Sequence, residues 1–315
     1  MKKTFLIFIV FITLNSFSQS YPDSEKDGKY YTINGAKIWV VSFGKGDPIF
    51  ILSSGLADPH YELRSFDALS ATNALVFYDG FGRGKSSLAK NVTEYSIQHD
   101  IDDLDALRKA MGYTSISILG HSYGGIVAQG YAIQHPQFTK HLILANTFHS
   151  FLMWQEKDNI ANREIKTHYP ELWFEINKAR EEGFRSIDSI HQSVYRKVPY
   201  GFLNAYNPDT FIRKESKTYP NPFNAKLYYH MVGRDGDVVV ENEMNTFDYR
   251  IKLKVLKMPI LIISGRYDRI AVPDLMVKYK EYCPQAKFVM FEKSGHHPQI
   301  EQSEETFEVI REFLK

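Results

Sequence analysis

The chain has 315 residues, 43% of them hydrophobic, so it can bury a sizeable core and suits one large domain or a domain carrying an insertion. Lysine and arginine number 38 against 37 aspartates and glutamates, a formal charge of +1, with no basic block of the kind that neutralises a phosphate backbone. These figures exclude an intrinsically disordered chain and argue against a nucleic-acid partner.

The first feature along the chain is a processing signal. Lys2 and Lys3 form a positive n-region, Phe5 to Leu14 an apolar h-region, and Ser16-Phe17-Ser18 a small-x-small cleavage pattern. Residues 1–18 are expected to be a signal peptide, which would place the mature protein in the periplasm or outside the cell. Thr13 and Asn15 cut the apolar run short of the roughly 18 to 20 residues a spanning helix needs, so no stable membrane span is expected after cleavage. Cys283 is the sole cysteine, which rules out an intramolecular disulfide, and it reads as a small buried apolar residue near a helix end.

Short apolar runs then alternate with longer helical patterns, the signature of a mainly parallel sheet with crossover helices. Tyr30 to Ile33 and Ala36 to Phe43 read as an opening hairpin, turned at Asn34-Gly35, a pair suited to the type I′ turn. Six further strands are expected at Pro48 to Leu52, Ala74 to Tyr78, Ser115 to Leu119, His141 to Ala145, Pro259 to Ser264 and Lys287 to Phe291. Ile97, Ile101, Leu104, Leu107 and Met111 recur at three- and four-residue steps and mark one helix face. From about Thr147 to Lys254 the rhythm breaks into an aromatic-rich stretch (Phe148, Trp154, Phe211 and Tyr228 among others) with helix-like patches and no strand alternation. It is expected to be a mostly helical cap, residues 147–254, inserted between the sixth and seventh strands of a core formed by 19–146 and 255–315. The last helix is expected to start at Ser303 as its cap, with Glu304 and Glu305 in its positive first turn and Phe307, Ile310 and Leu314 facing inward.

The strongest chemical signal is Gly120-His121-Ser122-Tyr123-Gly124, directly after one strand and directly before an apolar helix. A sharp strand-to-helix turn of this kind forces the serine into a strained backbone conformation and lifts its hydroxyl clear of the sheet. The free N–H groups of the following helix then face developing negative charge. A serine hydroxyl is a poor nucleophile at neutral pH, so it needs a base, and the base needs an orienting carboxylate. Asp268 lies just beyond an apolar strand in Ser264-Gly265-Arg266-Tyr267-Asp268, and His296 lies in Ser294-Gly295-His296-His297-Pro298 beyond the next one. His296 is preferred to His297 because the residue before Pro298 is conformationally restricted. The oxyanion donors are expected to be the backbone N–H of Tyr123 and that of Gly55 or Leu56, in the loop after Pro48 to Leu52. His60 in that loop reads as structural or pocket-lining. Asp79-Gly80-Phe81-Gly82-Arg83-Gly84 has the wrong glycine spacing for a dinucleotide and no helix opening on it, so no nucleotide cofactor is expected. Nor is a metal, since His296 and His297 are adjacent and no His-Glu-x-x-His motif occurs.

From about Lys29 onward the chain resembles α/β-hydrolase-fold serine hydrolases of the proline iminopeptidase group. Ser53 to His60 aligns without a gap to that group's His-Gly-Gly-Pro-Gly-x-x-His loop, and Tyr78-Asp79 with Gly82-Arg83-Gly84-Lys85-Ser86 resembles its Tyr-Asp-x-x-Gly-x-Gly-x-Ser segment. Asp100 to Gly112 resembles its helix before the elbow strand, and Met231-Val232-Gly233 its Met-x-Gly, which leads into an acidic residue that holds a substrate's amino terminus. The resemblance implies an α/β-hydrolase fold with a mainly parallel eight-stranded sheet and a helical cap after the sixth strand. It also implies a Ser122, Asp268, His296 triad and aminopeptidase action on small N-terminal residues such as proline. Ser53, Ser54, Leu56 and Ala57 depart from the group's loop, and Gly236 stands where its acid is expected. Asp235 and Asp237 flank that position and either bind a substrate ammonium or form an exposed acidic turn. The alternatives are carboxylesterase action on small apolar esters and, in a different class, a non-catalytic ligand receptor.

Overall fold

The computed structural model describes residues 28–52, 55–209 and 223–315; the expected signal peptide, Ser53, Ser54 and Phe211 lie outside them. Eight strands form one sheet: β1 (Lys29–Ile33), β2 (Ala36–Phe43), β3 (Pro48–Leu52), β4 (Ala74–Tyr78), β5 (Ile116–His121), β6 (Thr139–Ala145), β7 (Ile260–Gly265) and β8 (Lys287–Phe291). Their spatial order is β1-β2-β4-β3-β5-β6-β7-β8. β1 with β2 and β2 with β4 pair antiparallel, and all other neighbours are parallel. The first hairpin turns on Asn34 and Gly35, both at positive φ (47° and 86°), as the Asn-Gly pair predicts.

The parallel strands read as unbroken apolar runs because both sheet faces are covered. Every residue of β5 and β7 is buried. Successive side chains leave on opposite faces, so Phe50, Ile118, Leu142 and Ile262 join one core with Ile101, Leu104, Ile126 and Tyr131. Ile49, Ile51, Leu119, Ile143 and Ile263 join a second with Phe66, Phe307 and Ile310. The strands lie within two residues of their expected bounds, and one shift bears on the site: β5 runs on to His121, because its parallel pairing continues through Gly120 with Leu144 and His121 with Ala145. The strand therefore delivers its last residue directly to the serine turn.

Helices α1 (Ile97–Ala110) and α2 (Tyr123–Gln134) flank β5 in sequence. Between β6 and β7 come α3 (Phe151–His168), α4 (Pro170–Glu181), α5 (Ser189–Tyr195), α6 (Tyr200–Asn204) and α7 (Ala225–Val232). After β7 follow α8 (Pro273–Met276), α9 (Tyr279–Tyr282), α10 (Pro298–Glu301) and α11 (Ser303–Phe313). Gln302, not Ser303, occupies the N-cap of α11, because its carbonyl already accepts from Thr306 N–H at 3.0 Å and Ser303 is drawn into the first turn. A run of 3₁₀ turns over His60–Ala71, which the sequence pattern does not announce, buries Leu63, Phe66 and Leu69.

In the inserted helices, Ile165, Ile176 and Val194 form a small core of their own. α7 joins the main core through Leu227 and Met231. Its N-cap, Asn224, accepts from Leu227 N–H at 3.2 Å, donates its amide to the Gly82 carbonyl at 2.8 Å, and donates its backbone N–H to the Ala57 carbonyl at 3.1 Å. One cap residue thus pins the insert to both loops beside the serine. Among the described residues no helix is long and apolar enough to cross a membrane.

Candidate active site

Ser122 links β5 to α2 and holds φ 51° and ψ −122°, a conformation that costs about 1–3 kcal/mol for a side-chain-bearing residue. The turn is over-determined. Ser122 N–H donates to the Ala145 carbonyl at 3.0 Å, and Thr147 Oγ1 donates to the Ser122 carbonyl at 2.6 Å. A Cβ on Gly120 would sit 2.5 Å from the Gly124 carbonyl oxygen, and one on Gly125 would meet Thr147 Oγ1 at 2.2 Å. The glycines are there because strand, helix and the end of β6 converge on one point.

Asp268 follows β7 and His296 follows β8, so both loops open at the carboxyl edge of the sheet beside Ser122. His296 Nδ1 lies 2.9 Å from Asp268 Oδ2. Asp268 Oδ1 accepts from the N–H groups of Ile270 at 2.7 Å and Ala271 at 2.9 Å, and Asn146 Nδ2 donates to Oδ2 at 2.8 Å. Burial works to raise this carboxyl, but His296 together with the Asn146 and Ile270 donors outweighs it and holds Asp268 below the usual carboxylate range. Asn146 lies at φ 47°, which asparagine tolerates, and it also donates to the Gly295 carbonyl at 3.2 Å. No motif signals Asn146 in the sequence; its place one residue past β6 is the only hint.

Three histidine rings meet here. His121 Nε2 donates to the His296 carbonyl at 2.7 Å, and its ring stacks on that of His297 at 5.1 Å between centroids. Burial, then the neighbouring His296, pushes His121 down to about 3, so it stays neutral. His297 turns toward Gln299, 3.3 Å from its Nδ1, so the carboxylate meets His296 and not its neighbour. His60 is buried and contacts Asp79 Oδ1 through Nδ1 at 2.8 Å.

Ser122 and His296 open onto one cavity of about 320 Å³, walled also by Gly55, Leu56, Trp154 and Tyr228. An imidazole anchored on Asp268 in this way can accept a hydroxyl proton, and the loop after β3 and the start of α2 can both present N–H groups. Asp58, Glu62 and Lys157 bring charge to the wall. Neither Asp235 nor Asp237 is among the described lining residues. Arg180 donates to both oxygens of Asp235, each at 2.7 Å, and Ser186 Oγ donates to it at 3.2 Å. Asp237 is pushed up by burial, against the nearby Lys157 and His191. Asp158, paired with Lys157, is buried and raised to about 6. A larger cleft, about 870 Å³, lies at the other edge of the sheet by Asp47, Asn73 and α11. Its lining holds no serine with a histidine. No group of three or more histidines, cysteines or acids among the described residues is arranged to hold a metal.

The family described as alpha/beta hydrolase fold matches residues 47–303. A proline iminopeptidase of Heyndrickxia coagulans is 27% identical over 288 residues, covering 90% of this chain and 97% of the relative. One of Saccharolobus solfataricus is 27% identical over 318 residues, covering 96% of each. Among solved structures, a proline iminopeptidase of Mycobacterium smegmatis superposes with a TM-score of 0.72 at 18% identity, covering 91% of this chain and 97% of that one. An esterase of Thermogutta terrifontis shares the fold at a TM-score of 0.59 and 21% identity, covering 91% of this chain and 97% of that one.

Proposed function

This chain belongs to the alpha/beta hydrolase fold family and is a hydrolytic enzyme, and we propose that it works as a serine hydrolase through an acyl-enzyme on Ser122. The observation that supports this most is the 2.9 Å contact of His296 with Asp268 on the cavity that Ser122 enters. In the first half, His296 takes the Ser122 proton as Oγ bonds to the acyl carbon, then returns it to the leaving nitrogen or oxygen as that bond breaks. In the second half, water replaces the leaving group: His296 takes its proton, the hydroxide adds to the acyl carbon, and Ser122 departs with the proton. The oxyanion formed in each half is received by the backbone N–H of Tyr123 and that of Gly55 or Leu56.

For the substrate, we infer an aminopeptidase that releases small N-terminal residues such as proline. The iminopeptidase relatives support it, and so does the charge around the cavity. Asp58 and Glu62 line it against one described cation, Lys157. Lys157 is already paired with Asp158 and neighboured by Asp237. Acids thus outnumber cations among the described lining residues, a balance that suits a substrate ammonium. A second reading, a carboxylesterase on small apolar esters, is favoured by the apolar wall of Phe148, Trp154, Phe223 and Ile270 and by the hold of Arg180 on Asp235. We further infer export of the mature chain, on the apolar run Phe5 to Leu14.

The test compares wild type and Ser122→Ala on proline p-nitroanilide and p-nitrophenyl butyrate. Ser122→Ala should lose roughly three to six powers of ten on whichever substrate is turned over, with an unchanged melting temperature. Retained activity above a tenth of wild type would overturn the nucleophile. A wild-type preference for the ester would move the substrate to the second reading.

A further inference from the structure

Both arms of the oxyanion site lead back to one ion pair, buried Arg83 with partly buried Asp100. Arg83 is 4% exposed. Its Nη1 and Nη2 donate to the two oxygens of Asp100, each at 2.8 Å, the bidentate geometry that fixes the plane of a guanidinium. With the plane fixed, Nε donates to the Leu56 carbonyl at 2.7 Å, and Nη1 donates also to the Phe81 carbonyl at 3.0 Å. From the opposite side the Tyr123 hydroxyl donates to Asp100 Oδ2 at 2.6 Å, and the guanidinium stands 5.5 Å from the centre of the Tyr123 ring. The turn that carries Arg83 is itself held by Asp79, whose Oδ2 accepts from Lys85 N–H at 2.8 Å.

We propose that Arg83 and Asp100 are positioning residues that set the spacing of the two oxyanion donors. Asp100 grips the residue after the nucleophile by its side chain, and Arg83 grips the facing loop by its carbonyl. The inference rests on the reading of Ser122 as nucleophile. Stability alone does not require such a pair, since apolar residues of similar volume often replace a buried ion pair without loss. Orientation does require it: an ion pair with one fixed plane, bonded to Leu56 on one side and to Tyr123 on the other, holds two separate backbone segments in register. A donor displaced by a few tenths of an ångström still meets the ground-state carbonyl but meets the tetrahedral oxyanion less well, so the defect belongs in kcat.

The experiment uses the full chain with Arg83→Lys, which keeps a charge for Asp100 but cannot also reach Leu56, and Tyr123→Phe, which removes one hydroxyl. Wild type and variants are compared in kcat and KM for p-nitrophenyl butyrate, in Ki for a trifluoromethyl ketone that forms a tetrahedral adduct, in fluorophosphonate labelling and in thermal unfolding. Each variant should lose about ten- to hundredfold in kcat with KM within twofold, and Ki should rise in the same proportion. A merely structural role would lower the melting temperature and leave the ratio of Ki to KM unmoved. Labelled, active wild type with either variant's kcat within twofold of it rejects the positioning role alone. Wild type that neither turns over ester nor takes the label rejects the hydrolase reading, and this inference with it. Should Arg83→Lys fail to fold, Tyr123→Phe decides the matter, since it deletes one oxygen and leaves the ring packed.

Discussion

At the scale of single residues, the neighbouring histidines differ in what they touch. His296 has a carboxylate on Nδ1 and a place on the cavity wall; His297 packs on His121 and reaches Gln299. His296→Ala should therefore match Ser122→Ala in kcat/KM, a loss of roughly three to six powers of ten, because a unit of this kind fails whole. His297→Ala should cost no more than about tenfold, through a looser His121 ring behind the His296 carbonyl. Steady-state kinetics of the two variants on one ester checks this, and a larger loss at His297 would reverse the assignment. Asp268 is held below the usual carboxylate range, so it stays ionised at neutral pH. Its contribution to stability is complete above the unfolded value near 4 and fades only as pH falls through the lower folded one.

Elements explain which features the sequence discloses. Strands β3 to β7 are legible because burial on both faces leaves apolar runs bounded by turn residues, and the Gly120 to Gly124 motif is legible because it falls where one such run meets a helix. The convergence behind it is hidden: Gly125 is packed against Thr147 at the end of β6, a contact across two elements. Gly120→Ala would drive a Cβ to 2.5 Å from the Gly124 carbonyl oxygen and 2.6 Å from Gly125 Cα, both backbone atoms with nowhere to move. It should lower stability by about 1–3 kcal/mol and abolish fluorophosphonate labelling. Gly112→Ala is the control: at φ 80° with nothing near its Cβ, it should cost only the left-handed conformation, about 1–2 kcal/mol, and leave labelling intact. Urea unfolding and labelling of the two variants separate steric failure of the elbow from general loss of stability.

Over the whole molecule, charges are matched by partners far away in sequence, which is why composition and motif say little about them. The acidic turn at Asp235 looks open in the sequence, yet Asp235 is tied to Arg180 of α4, while Asp158, which no motif marks, is buried behind the cavity wall and paired with Lys157, which lines it. Burial raises the Asp158 carboxyl to about 6 despite Lys157, so it is neutral below that pH and negative above it. A substrate ammonium is attracted only by the negative form. The ratio of kcat/KM for proline p-nitroanilide to that for p-nitrophenyl butyrate should therefore rise as pH increases through about 6, by roughly three- to tenfold at an effective dielectric of about 20. Dividing by the ester removes whatever pH dependence the two substrates share. Asp158→Asn should flatten the ratio across this range, whereas Asp235→Asn should leave its rise in place, since Arg180 holds that carboxylate low and it stays ionised throughout. A ratio that stays flat in wild type from pH 5 to pH 7 removes Asp158 from amine recognition.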